Sequence, residues 1–317
     1  MHPFTDRRHE SVAAFGEEKL IAAIQRWLGV ASPKTPFGIG DDCAVLRASH
    51  GRQLITVDPV IYGRHFDDAV PARAVGAKLL KRNLSDLAAM GGRPTAAVLA
   101  LTLDPRTRVQ WLEQFYRGLA TSAQNYRVLI VGGDIAQADG IAAASLTLLG
   151  EATGKRVLTR QGARIGDGIY VTGALGGSLR TGHHFKFIPR LKEGAWLARQ
   201  SKVRSMIDVS DGLAKDLHAL TPPSTVPALL ADTLPLRRGA DIRAALSEGE
   251  DYELAFTLAR DADHIAFERQ WRHAFPRTQL SRIGSFVRSG KLPAGALNLG
   301  AYHGYEHLRA TPQKLPS

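Results

Sequence analysis

The stretch Asn83-Leu-Ser-Asp-Leu-Ala-Ala-Met-Gly91 carries the residues on which the fold prediction depends. It forms the second half of a predicted helix over Ala72 to Met90, whose apolar residues recur at helical spacing. Asn83 and Asp86 are three residues apart and therefore share one face of this helix. The glycine pair Gly91-Gly92 stops the helix, so a polar helix face ends beside a turn.

Apolar periodicity predicts further helices and strands on both sides of this helix. The other predicted helices cover Glu17–Leu28 and Arg106–Asn125. Strands are predicted at Gln53–Val57, Ala96–Leu103, Val128–Val131, Ala142–Leu149, Ile169–Thr172, Met206–Val209 and Tyr252–Leu258. Because these elements follow no strict βαβ repeat, they predict an α+β fold rather than a doubly wound sheet.

The chain is long enough for two domains. The polar, basic, glycine-containing segment Glu151–Gly166 is the predicted boundary between them. We therefore expect an α/β N-terminal domain over residues 1–150 and an α+β C-terminal domain over residues 151–317. Leu220–Pro227, which contains three prolines, is predicted to be a surface loop.

Composition narrows the class of protein. The single cysteine, Cys43, rules out an intramolecular disulfide and is typical of a reducing compartment. The charged N-terminus is no signal peptide, and no apolar stretch could span a bilayer, so we expect a cytoplasmic protein without a membrane partner. The net charge of +11 suits an anionic partner, either nucleic acid or a phosphorylated metabolite. Because the basic residues form no block, a solvated surface without nucleic acid is the favoured interpretation.

Aspartates recur after apolar runs, often beside glycine. If strand ends converge on one edge of a sheet, several carboxylates gathered there would repel one another and would need a cation. Mg²⁺ prefers oxygen ligands and commonly bridges carboxylates to substrate phosphates. The alternative is that each aspartate belongs to a turn or a helix cap. The aspartates in question are Asp41, Asp42, Asp58, Asp86, Asp134, Asp208 and Asp211.

The common nucleotide-binding signatures are missing. The chain has no G-x-x-x-x-G-K-[ST] phosphate loop and no protein-kinase motif set. The glycine-rich stretch Gly173-Ala-Leu-Gly176-Gly177 is either a phosphate loop or a plain turn, and a plain turn is favoured. Any nucleotide site must therefore be built in another way.

Five further motifs accompany the helix motif Asn83–Gly91. They are Phe37-Gly-Ile-Gly-Asp-Asp-Cys-Ala-Val-Leu46, Gly132-Gly-Asp134, Ile207-Asp-Val-Ser-Asp-Gly-Leu213, Gly249-Glu-Asp-Tyr-Glu-Leu254 and Gly304-Tyr-Glu-His307. These motifs resemble those of the thiamine-monophosphate kinase family, within the aminoimidazole ribonucleotide synthetase-like superfamily, and the helix motif resembles that of the kinase in particular. They occur in the family's order and extend over nearly the whole chain.

The resemblance implies a two-domain α+β fold of the aminoimidazole ribonucleotide synthetase-like type. Its N-terminal domain would bind ATP and Mg²⁺ and would form a homodimer through its sheet, partly by the runs Gln53–Val57 and Ala96–Leu103. The implied activity is ATP-dependent phosphorylation of thiamine monophosphate to thiamine diphosphate by direct, metal-assisted transfer. No side chain is implied as a catalytic acid, base or nucleophile.

The resemblance also implies roles for individual residues. Those expected to bind ATP are Gly133, Asp134, Arg160 and Ser210. Those expected to bind thiamine monophosphate are His65, Glu250 and Tyr305. Those expected to bind magnesium are Asp42, Thr56, Asp58, Asp86, Asp134, Asp208 and Asp211. Without the resemblance, His65 would be interpreted as a surface histidine, Tyr305 as a packing aromatic and Arg160 as a surface base.

Two departures from the family pattern bear on activity. The family usually has a hydroxyl pair before its aspartate, whereas this chain has Thr56-Val57-Asp58, so one magnesium ligand is expected to be missing. The family commonly has two glycines before the substrate-binding acid, whereas this chain has Glu248-Gly249-Glu250. Another phosphorylated substrate, or a catalytically weak nucleotide-binding paralogue, therefore remains an alternative, as does a regulator that is no enzyme.

Overall fold

The computed structural model describes residues 1–35, 37–40, 43–46, 48–49 and 51–306. The chain divides into two compact units. The N-terminal unit comprises Met1–Leu87 and Arg93–Glu151, and the C-terminal unit comprises Ala88–Gly92 and the chain from Ala152 onward. No helix among the described residues is long and apolar enough to cross a lipid bilayer.

Over its described residues, the N-terminal unit contains four α-helices and a four-stranded sheet. The helices are α1 (Val12–Phe15), α2 (Glu17–Leu28), α3 (Ala72–Ala89, which runs into the second unit) and α4 (Val109–Tyr126). The strands are β1 (Gln53–Ile61), β2 (Gly92–Leu103), β3 (Leu129–Gln137) and β4 (Ala142–Ala152), in the order β1-β4-β2-β3. The predicted helix over Glu17–Leu28 is confirmed at both ends, because Gly16 and Gly29 flank it with positive φ angles.

Several predicted strands extend further than the sequence indicated, and two of them continue through residues that were expected to end them. The first was expected to end at Asp58, but β1 continues through Pro59, which faces Ser145 of β4. Within the part of the chain that the structure describes, β1 is an edge strand and has no neighbouring strand on one side. Proline, which has no backbone N–H to donate, is tolerated in such a strand. The other, expected to end at Val131, continues as β3 through Gly132-Gly133-Asp134 with a bulge in its pairing to β2.

Helices α3 and α4 cross at very short distance. A Cβ atom placed on Gly76 would clash with the carbonyl oxygen of Phe115, and one placed on Gly118 would clash with that of Arg73. Each helix thus contributes a glycine at the point where the other's backbone passes. Trp111 and Phe115 of α4 also border a small apolar space against Leu101 of β2, which places α4 on the sheet.

The face of β1 that does not pack against the helices is exposed and apolar. Along β1, Leu54 and Val60 are buried, whereas Ile55 is 72% and Val57 is 60% exposed. Period-two alternation explains the pattern, since one face of β1 packs on the helices and the other does not. Exposed β-branched residues on an edge strand indicate a surface that another protein surface could cover.

The C-terminal unit is built on a five-stranded sheet in the order β6-β8-β5-β9-β7. The strands are β5 (Gly168–Thr172), β6 (Val203–Val209), β7 (Thr225–Leu229), β8 (Glu253–Leu258) and β9 (Leu280–Arg288). The helices are α5 (Ser178–Thr181), α6 (His183–Lys186), α7 (Leu191–Leu197), α8 (Leu213–Leu220), α9 (Ile242–Ser247) and α10 (His264–Ala274). The predicted loop over Leu220–Pro227 is wrong at its end, because Pro227 lies within the edge strand β7, where proline is tolerated.

A buried carboxylate closes the loops at one end of the N-terminal sheet. Asp104 follows β2 and accepts hydrogen bonds from the backbone N–H of Arg106 (2.7 Å) and of Gly140 (2.6 Å). The Arg106 guanidinium also donates to both of its oxygens, at 3.0 and 2.9 Å. These donors, with the Arg106 side chain foremost, hold the pKa of the Asp104 carboxyl well below its usual range.

We expect Gly76→Ala to lower the free energy of unfolding by about 3 kcal/mol, because the new methyl group would push α4 away from α3. Helix propensity alone predicts the opposite, a gain of about 1 kcal/mol. Urea unfolding followed by circular dichroism measures the difference. Gln124→Ala, on the exposed surface of α4, is the control; a stabilised Gly76→Ala variant would contradict the close crossing.

We expect Asp104→Asn to lower the free energy of unfolding at neutral pH by about 2 kcal/mol, since it removes charge-assisted hydrogen bonds. The pKa of Asp104 is lowered in the folded state, so its stabilisation is present above pH about 4 and is lost as the pH falls. Urea unfolding between pH 3 and 8 should therefore show the two proteins converging at the acid end. Asp232→Asn, at an exposed aspartate, is the control, and a difference independent of pH would refute the assignment.

Candidate functional site

The first group of candidate ligands lies where β1 meets α3 in the N-terminal unit. The hydroxyl of Thr56 donates a hydrogen bond to Oδ2 of Asp86 at 2.5 Å. Asp58, two residues further along β1, lies on the same face of the strand as Thr56. Its Oδ1 atom is 3.4 Å from Nη2 of Arg82, and Nη1 of the same guanidinium donates to the carbonyl oxygen of Pro59 at 2.6 Å. Three predicted magnesium ligands are thus brought to one strand–helix face.

The residue at position 57 is not part of this face. Val57 is exposed on the open side of β1, whereas Thr56 contacts α3. A hydroxyl side chain at position 57 would therefore point away from Asp86. The expectation that Val57 removes a side-chain ligand from this group needs correction, because alternation along a strand places neighbours on opposite faces.

Helix α3 also carries basic residues, one of which, Arg82, contacts a candidate ligand. Lys78 is fully buried and Lys81 is 8% exposed. Burial, together with the nearby charge of Lys78, lowers the pKa of Lys81 to about 8. Arg82 is one helical turn before Asp86 and forms the ion pair with Asp58. The spacing of four residues could have suggested this neighbourhood from the sequence, but Arg82 was not singled out.

Asp134 and Gly133 occupy the opposite edge of the same sheet. Asp134 pairs with Ala100 of β2, whereas Asp58 pairs with Leu146 of β4. Because β1 and β3 are the two edge strands, three strand spacings of about 4.8 Å separate them. The argument that strand ends gather Asp58 and Asp134 is therefore wrong within this sheet, since both lie inside strands at opposite edges.

A cavity of about 500 Å³ lies beside Gly132, Gly133 and Asp134. Its apolar wall comes from α2, β2, β3 and α4, through Ile21, Ile24, Leu28, Leu99, Tyr116 and Ile130. Glu17, Asp134 and the backbone at Ile39 and Gly40 also border the cavity. The absence of a side chain at Gly133 has a structural cause of its own, because a Cβ atom there would clash with the carbonyl oxygen of Leu99.

His65 follows β1 and is folded back onto it. The backbone N–H of Ile61 donates to Nδ1 of His65 at 3.1 Å. An Nδ1 atom that accepts a hydrogen bond carries no proton, so the neutral ring bears its proton on Nε2. His65 thus has a fixed tautomer, and its Nε2–H is a hydrogen-bond donor suited to an oxygen ligand.

The second group of candidate residues lies in the C-terminal unit, at the turn after β6. The carboxylate of Asp216 accepts hydrogen bonds from the backbone N–H groups of Ser210 and Asp211, both at 3.1 Å. Burial raises the pKa of the Asp216 carboxyl to about 7. Nζ of Lys215 lies 2.7 Å from Oδ2 of Asp211 and 2.5 Å from the carbonyl oxygen of Tyr305. The N–H of Tyr305 donates to the carbonyl oxygen of Asp211 at 2.8 Å.

Glu250 joins the same turn from the acidic loop before β8. Its N–H donates to the carbonyl oxygen of Ser210 at 2.7 Å, and its own carbonyl oxygen accepts from the Ser178 hydroxyl at 2.7 Å. Its carboxylate lies 2.6 Å from Nδ1 of His184. Ser210, Asp211, Glu250 and Tyr305 therefore form one cluster within this unit, and sequence reasoning missed the contribution of His184.

The glycine-rich turn after β5 is bound by carboxylates. The N–H of Gly176 donates to Asp251 and that of Gly177 to Glu248, both at 2.8 Å. Burial raises the pKa of Asp251 to about 6, although the Arg237 guanidinium 2.7 Å away opposes that shift. These amides serve the acidic loop, which agrees with a plain turn. Glu248, which departs from the family pattern, thus binds the backbone of Gly177.

The remaining predicted residues are Asp208, Arg160 and Asp42. Asp208 is 4% exposed within β6. Arg160 is exposed, next to Thr159, whose carbonyl oxygen accepts from the N–H of Met206 at 2.9 Å. Asp42 lies outside the described residues. Within the described ranges, no three histidine, cysteine, aspartate or glutamate side chains are grouped so that they could hold a metal ion.

Comparison with known proteins identifies relatives of this chain. Residues 40–152 match the family described as AIR synthase related protein, N-terminal domain. The thiamine-monophosphate kinase of Rhodopirellula baltica is 34% identical over 271 residues, covering 79% of this chain and 84% of the relative.

Solved structures agree with the sequence comparison. The thiamine-monophosphate kinase of Stenotrophomonas maltophilia superimposes with a TM-score of 0.72 at 30% identity, covering 84% of this chain and 94% of that one. The structure of AaThiL complexed with AMPPCP and TMP superimposes with a TM-score of 0.66 at 27% identity, covering 93% and 97%. The predicted α+β, aminoimidazole ribonucleotide synthetase-like fold is confirmed. On the extent and identity of these matches, the chain belongs to the thiamine-monophosphate kinase family.

Proposed function

We propose that the protein transfers the γ-phosphate of ATP to thiamine monophosphate, forming thiamine diphosphate and ADP. The observation that carries this proposal is the cluster in the C-terminal unit. Ser210, Glu250 and Tyr305 come from three motifs far apart in the sequence, yet backbone hydrogen bonds at 2.7 and 2.8 Å connect them through a single turn. The AaThiL relative complexed with AMPPCP and TMP supports both the nucleotide and the acceptor.

The reaction requires the protein to position two phosphate groups and to neutralise their charge. One phosphate oxygen of the acceptor attacks the phosphorus of the γ-phosphate in line with the departing ADP. The acceptor phosphate is largely ionised near neutral pH, so no side chain has to remove a proton. Charge repulsion between the two phosphate groups is the obstacle, and positioning with charge neutralisation overcomes it. This agrees with a site that has no catalytic acid, base or nucleophile.

The residues of the N-terminal unit suit magnesium in their chemistry. Thr56, Asp58 and Asp86 offer only oxygen atoms, and Thr56 and Asp86 already lie 2.5 Å apart. When bound there, Mg²⁺ would neutralise phosphate charge and fix the orientation of the phosphates. Asp58 must share its charge with Arg82. We therefore propose Thr56, Asp58 and Asp86 as ligands from this unit, with Asp42 and Asp134 as further candidates, and Asp208 and Asp211 as candidates from the C-terminal unit.

We propose the cavity beside Gly133 and Asp134 as the ATP site of the N-terminal unit. Its volume of about 500 Å³ and its wall of Ile21, Ile24 and Leu28 suit a flat, largely apolar nucleotide base. The carboxylates of Glu17 and Asp134 at its border would repel phosphate groups, so a cation would have to lie between them. Arg160 and Ser210 are proposed as the ATP-binding residues of the C-terminal unit. His65 is proposed to donate its Nε2–H to the acceptor.

The open face of β1 supports a homodimer. Ile55 and Val57 are exposed β-branched residues on an edge strand, which a second copy of the same strand could cover. A symmetric contact between two such edges would bury both apolar faces and protect the unpaired backbone groups. We therefore propose that the N-terminal sheet forms the dimer interface, partly through β1.

We expect Asp58→Asn to reduce turnover of thiamine monophosphate at least about 100-fold, because it removes a negative charge that holds the metal. A coupled ADP-release assay at increasing Mg²⁺ and constant ionic strength measures turnover. Calorimetric titration of the protein with Mn²⁺ alone gives a second readout, in which the variant should bind more weakly. Asp139→Asn, at an exposed loop aspartate, is the control. Near-parental activity of Asp58→Asn would show that Asp58 serves only its ion pair with Arg82.

We expect the protein to have the mass of two 34.3-kDa chains in light scattering. The double substitution Ile55→Glu with Val57→Glu should shift the mass to one chain, since two charges would then face each other across the contact. Ile265→Glu, at a residue 79% exposed on α10, should leave the mass unchanged. A monomeric parent protein would disprove the interface.

A further inference from the structure

The loop that carries Glu250 has an unfavourable backbone conformation. Glu250 has a φ angle of +66° and Tyr252 one of +54°, in the left-handed region that residues other than glycine seldom adopt. Such conformations persist only where the surroundings hold them, and they concentrate at ligand-binding sites. The contacts around Glu250 therefore indicate which of its groups the loop holds in position.

The backbone of the loop is fixed from both sides. Before Glu250, a Cβ atom on Gly249 would clash with the carbonyl oxygen of Ser210, so the chain lies directly on the turn after β6. Beyond it, Asp251 accepts from the N–H of Gly176 and pairs with Arg237 at 2.7 Å. The ring of Tyr252 stacks on that of Phe187, with the ring centres 4.0 Å apart. The position of the Glu250 Cα atom is thus determined without its side chain.

The orientation of the Glu250 carboxylate depends on a different contact. Its Oε2 atom lies 2.6 Å from Nδ1 of His184, and the two side chains are only 18% and 11% exposed. An ionised carboxylate has no proton to give, so Nδ1–H of His184 is the donor. The ring of His184 is itself in contact with that of Phe185, with centres 4.0 Å apart, which restricts its rotation.

We propose that His184 is a positioning residue that holds the Glu250 carboxylate for the organic part of the acceptor. This inference rests on the proposed function. A carboxylate repels phosphate and attracts cations and N–H donors, and thiamine carries both a positively charged thiazolium ring and an aminopyrimidine. With two oxygens and about four acceptor positions, the carboxylate can accept from His184 and from such a donor together. His184 thereby contributes to recognition of the acceptor and not of ATP.

The test compares His184→Phe, which removes the donor, with His184→Asn, whose amide nitrogen replaces Nδ1. In ADP-release assays we expect His184→Phe to raise the KM for thiamine monophosphate about tenfold, as loss of a charge-assisted hydrogen bond implies. The KM for ATP and kcat should change less than about twofold. His184→Asn should restore most of the lost affinity. His218→Asn, at an exposed histidine of α8, is the control.

A double-mutant cycle with Glu250→Gln identifies the partner. If His184 acts through Glu250, adding His184→Phe to Glu250→Gln should change the KM for the acceptor far less than the single substitution does. The ¹⁵N-resolved spectrum of the histidines gives an independent readout, because the Nδ1–H resonance of His184 should shift when Glu250 is replaced.

The outcomes separate this inference from the proposed function. An unchanged acceptor KM in His184→Phe, or equal losses in the Phe and Asn variants, would overturn the positioning role while leaving the kinase activity intact. If the parent protein does not turn over thiamine monophosphate, the proposed function fails. Calorimetric titration with thiamine monophosphate then decides the inference: weaker binding by His184→Phe alone supports it, and equal binding or none overturns it.

Discussion

Buried carboxylates that accept hydrogen bonds from backbone amides organise the loops of both units. Asp104 binds the N–H groups of Arg106 and Gly140, Asp216 binds those of Ser210 and Asp211, and Asp251 binds that of Gly176. A loop amide removed from water needs an acceptor, and a carboxylate is the strongest one a side chain can offer. The turn that carries Ser210 and Asp211 therefore depends on a buried aspartate, Asp216.

The acidic residues fall into two classes, which differ in burial and in the groups that they contact. Tethering carboxylates are deeply buried, and Asp216 and Asp251 have pKa values raised by burial. The candidate ligand Asp58 is more accessible, and a cationic side chain, Arg82, lies beside it. Asp211 is likewise accessible and paired with Lys215. A site for phosphate groups and their cations needs carboxylates that a ligand can reach, which the buried tethering residues do not offer.

The close crossing of α3 and α4 helps to position the candidate ligands of the N-terminal unit. Gly76 and Gly118 let the two backbones approach, and α3 in turn presents Arg82 and Asp86 to β1. A helix displaced by one methyl group would move the contact between Thr56 and Asp86. The packing of the helices and the geometry of the candidate ligands are therefore coupled.

Sequence alone determined the family, through the order of its motifs along the chain. It also determined the α+β fold and most of the helices and strands, because apolar periodicity is a local property. Helix α2 was predicted residue for residue, whereas β1 and β7 extend through Pro59 and Pro227, since only strand order shows which strands lie at an edge. Sequence could not tell a tethering aspartate from a proposed ligand, since Asp216 and Asp211 lie only five positions apart. It could not place Asp58 and Asp134 at opposite edges of one sheet, nor bring His184 to Glu250 across 66 positions. Those relations depend on which backbone groups and strands meet in space, which only the tertiary structure decides.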